Sequence, residues 1–582
     1  MSGAEASNGR IDMVDAGPGE RPDRVLQLAQ EAPAAPRTIE KRIRSFMEGR
    51  ISFGASKLYL MHTAERDYRV RPRVDTPVAD GRWSVATRQV VVLLLAGVAG
   101  RIVLAFVLGL GVDESYEVVL SRRPSLGYFD HPPLSFWIPA LVARIAGSEH
   151  RVLLRLPFML LFAGTTVLLY RLTARLYGER AGFLAALLAN ISPVFSVSTG
   201  SWVLPDGPLD FAMVGAALCL THALLGEPRT RPWRWWIGAG AAAGMALLSK
   251  YHAVFLLAGA LLFLVSRREA RRWLRRWEPY AAVALALGIA APMLIWNAQH
   301  DFASIRFQAG RATTHGLHLG ALAQNVGGQL GILLPWIGVP LLWQLARGLR
   351  AGPRDAPRWL LTCLAVGPIV LFTLVSLGGN PGLPHWPAPG YLMLFPLLGD
   401  ALARYEARGA RERARTFRAL AAAVTVFVLL VAFAASDVPT GWMARVAPGL
   451  FTRGDPSLEA MDWSDLRPQL AGRGLLDKGQ VVVATHWMDA AKIGYALGPS
   501  TTVLCLSDDP RGFQFAYPPR NFASRDAIVL VRTGRGAKPV DVRRRYASYF
   551  GSIEPADTLS ITRRGRAEIR IASFRARALS AR

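Results

Sequence analysis

The sequence predicts a polytopic α-helical membrane protein of about eleven transmembrane helices, with a re-entrant or surface helix in the first outer loop and a small C-terminal α/β extracytoplasmic domain. Three observations carry that prediction. Apolar runs reach the roughly 20 residues that a helix needs to cross a hydrocarbon core, arginines fall in bursts between alternate runs, and after Asp437 the pattern changes to short alternating apolar strands. The 582 residues are 51% hydrophobic, which fits the membrane class.

The apolar spans run Gln89–Gly111, Val152–Tyr170, Ala181–Thr199, Gly207–Leu225, Trp235–Ser249, Tyr251–Ser266, Tyr280–Asn297, Ala321–Leu345, Trp359–Leu377, Pro387–Leu402 and Phe417–Ser436. Pro132–Ala146 is apolar but short and proline-led, so it reads as the helix of the first outer loop. Trp235–Ser266 reads either as one long helix or as a hairpin with Lys250 at its apex. The single helix would place arginine-rich loops on opposite sides, so the hairpin is preferred. Arms of about 15 residues reach about 22 Å, short of a core of roughly 30 Å. Lys250 is then expected in a recess below the membrane surface.

Arginine sets the orientation. The loops carrying Arg171, Arg175 and Arg180, then Arg267 to Arg276, then Arg404 to Arg418 are cytoplasmic by the positive-inside rule, as are those around Arg231 and Arg350. The intervening loops hold few basic residues, chiefly Lys250, Arg306 and Arg311. This places the N-terminus on the inner side of the membrane and the C-terminal domain on the outer side. A net charge of +26 raises the question of nucleic acid, but its distribution by loop rather than along one face answers it as topology.

Three segments follow. Residues 1–87 form a basic, partly disordered cytoplasmic arm with no cleavable leader expected, 88–436 the transmembrane domain and 437–582 the α/β domain. Strands are expected at Gln480–Thr485, Thr501–Leu506, Ala527–Val531, Ser560–Thr562 and Glu568–Ser573, with a helix over Asp489–Leu497. The scattered Cys219, Cys363 and Cys505 make neither a disulfide framework nor a thiolate metal site. No HExxH, phosphate loop or nucleophile elbow occurs.

The topology gathers unusual polar residues on the outer face. Asp113 and Glu114 directly follow the first span, and Gly127-Tyr-Phe-Asp-His-Pro-Pro133 follows fourteen residues later. A carboxylate near apolar walls is suited to accept a proton from an attacking hydroxyl, and paired acids separate their pKa values. Asp130 and His131 open a surface helix, where the imidazole is placed to donate to an anion while Asp130 orients it. Asp206 in Leu-Pro-Asp-Gly-Pro serves as a helix cap, a functional acid or both. Lys250 is the single lysine between Lys57 and Lys478. Its ammonium, beside Tyr251, suits a phosphate better than a snorkelling role that arginine would fill equally well. His385 and Trp386 stand at a span end, and the mid-span Arg101 reads as a structural pairing inside the bundle.

These motifs, with Leu204-Pro-Asp-Gly-Pro208, Leu248-Ser-Lys-Tyr251 and Pro384-His-Trp-Pro387, resemble the polyprenyl-phosphate-dependent GT-C glycosyltransferases of the family 39 type. That group includes the protein O-mannosyltransferases and the bacterial lipid A aminoarabinose transferases. The resemblance covers roughly residues 88–436; each motif alone is weak, and their order and common sidedness are the specific part. It implies an inverting membrane enzyme that takes a sugar from a polyprenyl-phosphate carrier and passes it to an envelope lipid, glycan or protein on the outer face.

By the same resemblance, Asp113 matches the catalytic acid of the first outer loop, with Glu114 supporting it. Asp130 and His131 match a pair that is Glu-Lys in the aminoarabinose transferases, so phosphate binding there becomes pH-dependent and Lys250 carries more of it. Tyr128, Asp130, His131, Asp206, Lys250, Tyr251 and His385 are the expected substrate-binding residues. No cofactor is expected, because cationic and hydroxyl donors suffice for a monophosphate leaving group; a divalent metal at Asp130 and His131 stays open as an alternative. The rival class is a transporter or lipid flippase, against which stand the one-sided charges and the lack of an internal repeat. A membrane phosphotransferase would need a metal cluster that the sequence lacks.

Overall fold

Ser84 starts the first helix as an N-cap, its Oγ accepting from the Thr87 amide at 3.1 Å. The computed structural model describes residues 83–226, 231–312, 316–379, 382–452, 454–477, 479–533 and 541–580. Most of the expected arm over 1–87 therefore lies outside the described residues. The helices follow as α1 (Val85–Val107), α2 (Val112–Ser121), α3 (Leu134–Ala146), α4 (Arg151–Tyr177), α5 (Glu179–Asn190), α6 (Asp206–Leu225), α7 (Pro232–Ser249) and α8 (Val254–Ser266). Then come α9 (Glu278–Gln299), α10 (Ala303–Ala312), α11 (Leu319–Leu333), α12 (Pro335–Ala351), α13 (Ala356–Val375), α14 (Ala388–Leu392), α15 (Phe395–Glu406) and α16 (Ala410–Asp437).

Among the described residues, α1, α4, α6, α9, α13 with its 3-10 extension, and α16 are each long and apolar enough to cross a bilayer. The other expected spans are shorter or broken, for local reasons. Ala321–Leu345 is bent by 112° where Leu334 adopts a φ of 69° before Pro335. Ala181–Thr199 stops at Asn190 and resumes after Pro193 as a π-helix, and Pro387–Leu402 is split between α14 and α15 just ahead of Pro396. Polar groups inside the bundle are paired. Arg101 donates to Ser196 O at 3.0 Å and Asn190 Oδ1 at 3.1 Å, and lies over the Phe162 ring.

Close approaches fix the direction of the middle helices. Gly240 meets Ala282 and Gly244 meets Ala286 and Ile289, so α7 and α9 run parallel. Gly259 meets Cys363 and Phe255 meets Gly367, so α8 runs against α13. A side chain at Gly240 would strike the Ala282 carbonyl at 2.5 Å, which is why glycine stands there. The chain thus climbs α7, turns at Lys250, descends α8 and climbs again in α9, leaving Lys250, Tyr251 and Asn297 at one end.

The C-terminal domain carries β1 (Val481–Ala484), α17 (Trp487–Leu497), β2 (Val503–Cys505), α18 (Phe513–Ala516), β3 (Ala527–Thr533), β4 (Phe550–Arg563) and β5 (Arg566–Leu579). Its sheet order is β2-β1-β3-β5-β4, parallel across β2, β1 and β3 and antiparallel beyond. The final two strands are each 14 residues long, well beyond the short pair expected, because β4 and β5 pair along their whole length.

This domain shares one hydrophobic core with the first loop. Tyr116, Val119, Leu120 and Phe136 pack with Trp463, Trp487, Phe513 and the inner face of the sheet. Burying each such side chain contributes about 1.5–3 kcal/mol. Lys492 on α17 adds a polar tie, donating to Leu110 O at 2.6 Å, Met461 O at 2.8 Å and Glu459 O at 3.2 Å. The first loop and the C-terminal domain therefore lie on one face of the molecule.

Candidate active site

The turn from α1 into α2 places two adjacent acids in opposite settings. Glu114, buried, accepts from Arg155 Nε at 2.8 Å and Nη2 at 2.6 Å, from the Gly111 amide at 2.8 Å and from the Val203 amide at 3.0 Å. Arg155 also donates to the Leu108 and Gly109 carbonyls at 2.9 and 2.8 Å. With four donors on it, Glu114 closes the elbow and has no acceptor capacity left for a substrate. Asp113 is exposed and makes no side-chain hydrogen bond or ion pair with a described residue. Protein crowds its other sides: burial raises its pKa, while Arg511, Lys250 and Arg311 pull it back.

Asp130 is buried and accepts from Tyr116 Oη at 2.9 Å, and the Gly512 amide donates to that same Tyr116 oxygen at 2.8 Å. A side chain at Gly512 would meet Tyr116 Oη at 2.5 Å, so only glycine lets the domain approach this closely. Burial pushes the Asp130 carboxyl up to about 6, against the pull of Arg511 and the Tyr116 hydrogen bond. Burial, with Lys250 next, lowers the adjacent His131 to about 3, and its Nδ1 has no partner among the described residues. His131 is thus a neutral hydrogen-bonding group in the ligand-free site, which removes the charge that a pH-dependent phosphate contact would use.

At the other wall, Lys250 Nζ donates to both Asp206 oxygens at 2.8 Å, and both residues are buried. Lys250 is therefore a paired cation. His385 lies within electrostatic reach of both, beside Arg311. Tyr251 Oη donates to Ser304 Oγ at 2.8 Å and accepts from Asn297 Nδ2 at 3.1 Å, which ties α9 to α10. Tyr128 stacks on Phe136 with ring centroids 3.8 Å apart, its hydroxyl bracing the 123–125 backbone. Among the sequence candidates, then, Asp113, Asp130, His131, Asp206, Lys250 and His385 come together, while Glu114, Tyr128 and Tyr251 are committed to scaffold contacts.

The sequence reading missed Arg311, Arg511, Tyr116 and Glu117. Arg311 on α10 lies over Trp386 at 4.8 Å and over Phe307 at 5.6 Å. The signal for it was its place as one of few basic residues in an outer loop. Arg511, from the loop before α18, lies over Trp487 at 4.0 Å and Phe307 at 5.5 Å, with Nη1 3.6 Å from Asp130 Oδ2. No local pattern marks it. Glu117, one turn beyond Asp113, is buried beside the Ser135 hydroxyl, and burial pushes its carboxyl well above the ordinary range against the pull of that hydroxyl. Among the described residues no three His, Cys, Asp or Glu converge as a metal-ligand group.

Known proteins share parts of this architecture. Residues 130–296 match the family described as dolichyl-phosphate-mannose-protein mannosyltransferase. The lipid A galacturonosyltransferase RgtD of Rhizobium johnstonii is 28% identical over 284 residues, covering 48% of this chain and 58% of that protein. The lipopolysaccharide core galacturonosyltransferase RgtA of the same organism is 28% identical over 340 residues, covering 54% and 64%. The chain thus spans less than two thirds of the length of these curated relatives. ArnT from Cupriavidus metallidurans, in a crystal structure bound to undecaprenyl phosphate, superposes with a TM-score of 0.59 at 17% identity, covering 84% of this chain and 98% of that one. Its apo structure gives 0.58 over the same coverage. These structures share the fold.

Proposed function

We propose that this chain, which belongs to the GT-C glycosyltransferases of the family 39 type, transfers a sugar from a polyprenyl-phosphate carrier to an acceptor on the outer face of a bacterial inner membrane. The N-terminus is cytoplasmic and the C-terminal domain periplasmic in this reading. The observation that carries it is the contrast at the α1–α2 elbow: Asp113 is open and unpartnered beside Arg311, Lys250 and Arg511, while Glu114 is fully bonded. The names of the relatives support it, since both are galacturonosyltransferases acting on envelope lipids. A carboxylate-bearing sugar and a lipid acceptor fit the same reading.

The transfer is a single displacement. The acceptor hydroxyl oxygen attacks the anomeric carbon, its proton passes to Asp113, and the bond from that carbon to the carrier phosphate oxygen breaks. Polyprenyl phosphate leaves with the electron pair, and attack from the far side inverts the anomeric centre. Arg311 meets the phosphate charge directly. Lys250 joins it by giving up one of its two contacts to Asp206, and neutral His131 donates a hydrogen bond. His385 lines the same wall, Tyr128 and Tyr251 hold its backbone in place, and no metal takes part in the step.

The test is transfer from polyprenyl-phosphate sugars to envelope fractions by the purified protein, with and without a chelator. Carrier-dependent product that persists in the chelator is expected. Asp113→Asn should lower turnover by about 10²–10⁴ while the protein stays folded. Retained turnover would remove Asp113 from the base role, and lipid flipping without covalent product would overturn the reading.

A further inference from the structure

Asp130 is bonded on two sides, and each bond reaches a segment that carries an arginine of the site. Its carboxylate accepts from Tyr116 Oη at 2.9 Å, and the Gly512 amide donates to the same phenol oxygen at 2.8 Å. Gly512 directly follows Arg511. That guanidinium is matched by protein: Nε donates to Asp509 at 3.4 Å, Nη1 pairs with Asp130 at 3.6 Å, and the fork lies over Trp487 at 4.0 Å. Tyr116 is itself fixed, with Phe136, Trp487 and Phe513 edge-on to its ring at 6.4, 5.5 and 5.9 Å. On the other side, the main-chain oxygen of Asp130 accepts from Gln308 Nε2. Gln308 lies on α10 three residues before Arg311, about one helical turn away on the same face.

The start of α10 is anchored separately, where Ser304 accepts from Tyr251 at 2.8 Å and the Ile305 amide donates to Asn297 Oδ1 at 3.3 Å. Its second half, which carries Arg311, meets the first loop through the Gln308 bond and through Phe129 packed on Phe307 at 4.7 Å. The first loop, α10 and the C-terminal domain are therefore hydrogen-bonded together around one residue. We propose that Asp130 registers both arginines against Asp113, with Tyr116 and Gln308 as positioning residues. Tyr116 sets the Arg511 loop, and so the charge that Asp113 meets. Gln308 sets the second half of α10, and so the cation that meets the carrier phosphate. This rests on the proposed glycosyl transfer and goes beyond it by giving roles to two residues that touch neither donor nor acceptor. The physical reason is that charge interactions fall with distance, and a misplacement of about 1 Å can cost about 100-fold in rate. The two ties are separable, because they leave Asp130 from different atoms toward different segments.

The test uses the full chain in lipid nanodiscs. Binding of polyprenyl phosphate is read by tryptophan quenching, and kcat/KM against pH is read from transfer of the polyprenyl-phosphate sugar that the unaltered protein uses. Gln308→Met keeps the length of the side chain and removes the donor. It should weaken polyprenyl phosphate binding about 3- to 10-fold and leave the acid limb of the pH profile in place. Tyr116→Phe keeps the ring and removes the hydroxyl. It should hold polyprenyl phosphate binding within about twofold while kcat/KM falls about 10- to 100-fold and its acid limb moves to higher pH. The direction follows from the groups facing Asp113: burial raises its carboxyl, Arg511 pulls it back ahead of Lys250 and Arg311, and Glu114 opposes them. Glu117, Asp130 and Glu459 also lie within its reach and act on it less than Arg511 does. A loosened Arg511 pulls less, so Asp113 keeps its proton to higher pH. Arg511→Gln should move the limb the same way, and the double variant with Tyr116→Phe little further. An unmoved limb in Tyr116→Phe, unchanged carrier binding in Gln308→Met, or a double variant that shifts by the sum of the two would overturn the assignment. So would losses of binding and transfer that match in both variants and follow a fall in the thermal midpoint, since both residues would then be structural only. Absence of carrier binding and of transfer in the unaltered protein would instead sink the underlying glycosyl-transfer reading.

Discussion

Two acid–arginine pairs flank the α1–α2 elbow, and they differ in closure. Glu114 and Arg155 meet at 2.6 Å, both are buried, and every remaining acceptor and most donors are spent on backbone groups around them. Asp130 and Arg511 stand 3.6 Å apart, with the arginine part-exposed. Both pairs join distant segments, yet only the second keeps capacity for a ligand. A closed buried pair holds geometry, because removing either partner strands a charge in a low-dielectric setting. An open pair holds a charge ready for something that is not protein.

Variants can break that contrast. Glu114→Ala leaves Arg155 buried and unpaired, and should cost about 3–5 kcal/mol, seen as a large drop in the thermal midpoint in detergent. An unchanged midpoint would show that the elbow does not depend on this pair. A smaller effect is expected from pH on the open pair. Burial holds Asp130 near 6, above its ordinary value, so the folded state binds the proton more tightly than the unfolded one. The stability this contributes is full below about pH 4 and is lost as pH rises through 6, a fall of about 1–3 kcal/mol. Asp130→Asn should flatten the midpoint-against-pH curve across that window, and a curve with the same slope would place the titration elsewhere.

Arg511→Ala should change stability by no more than about 1 kcal/mol, as a part-exposed pair without a hydrogen bond contributes little. A loss like that of Glu114→Ala would erase the distinction between the two pairs. The smallest effect belongs to Glu117→Gln. Burial pushes its carboxyl well above the ordinary range, with the Ser135 hydroxyl pulling it back, so a neutral isostere should leave both the midpoint and turnover nearly unchanged. A sharp loss of turnover with an unchanged midpoint would give Glu117 a proton-carrying role.

Much of the fold was legible because its cause is local. Apolar length, arginine bursts and the change of period after Asp437 each act within about 20 residues, and the strands of the C-terminal sheet answer to the same kind of pattern. Breaks were less legible. The 112° bend at Leu334 depends on one positive φ before a proline inside an otherwise unbroken apolar run. The candidate site divided along the same line. Asp113, Asp130, His131, Asp206 and Lys250 were readable from their place at span ends, while the equally plausible Glu114, Tyr128 and Tyr251 differ from them only in which neighbours reach them.

By itself the sequence determined that this chain folds as a bundle of membrane helices with its polar chemistry collected at one end, since hydrophobic length and loop charge decide that segment by segment. Tertiary structure alone decided which acid is open and which is closed, and that the C-terminal domain lends an arginine to the site. The reason is physical: Tyr116 and Gly512 are 396 residues apart in the chain and 2.8 Å apart in space. Contacts of that kind arise from packing two domains into one core, which no local pattern records.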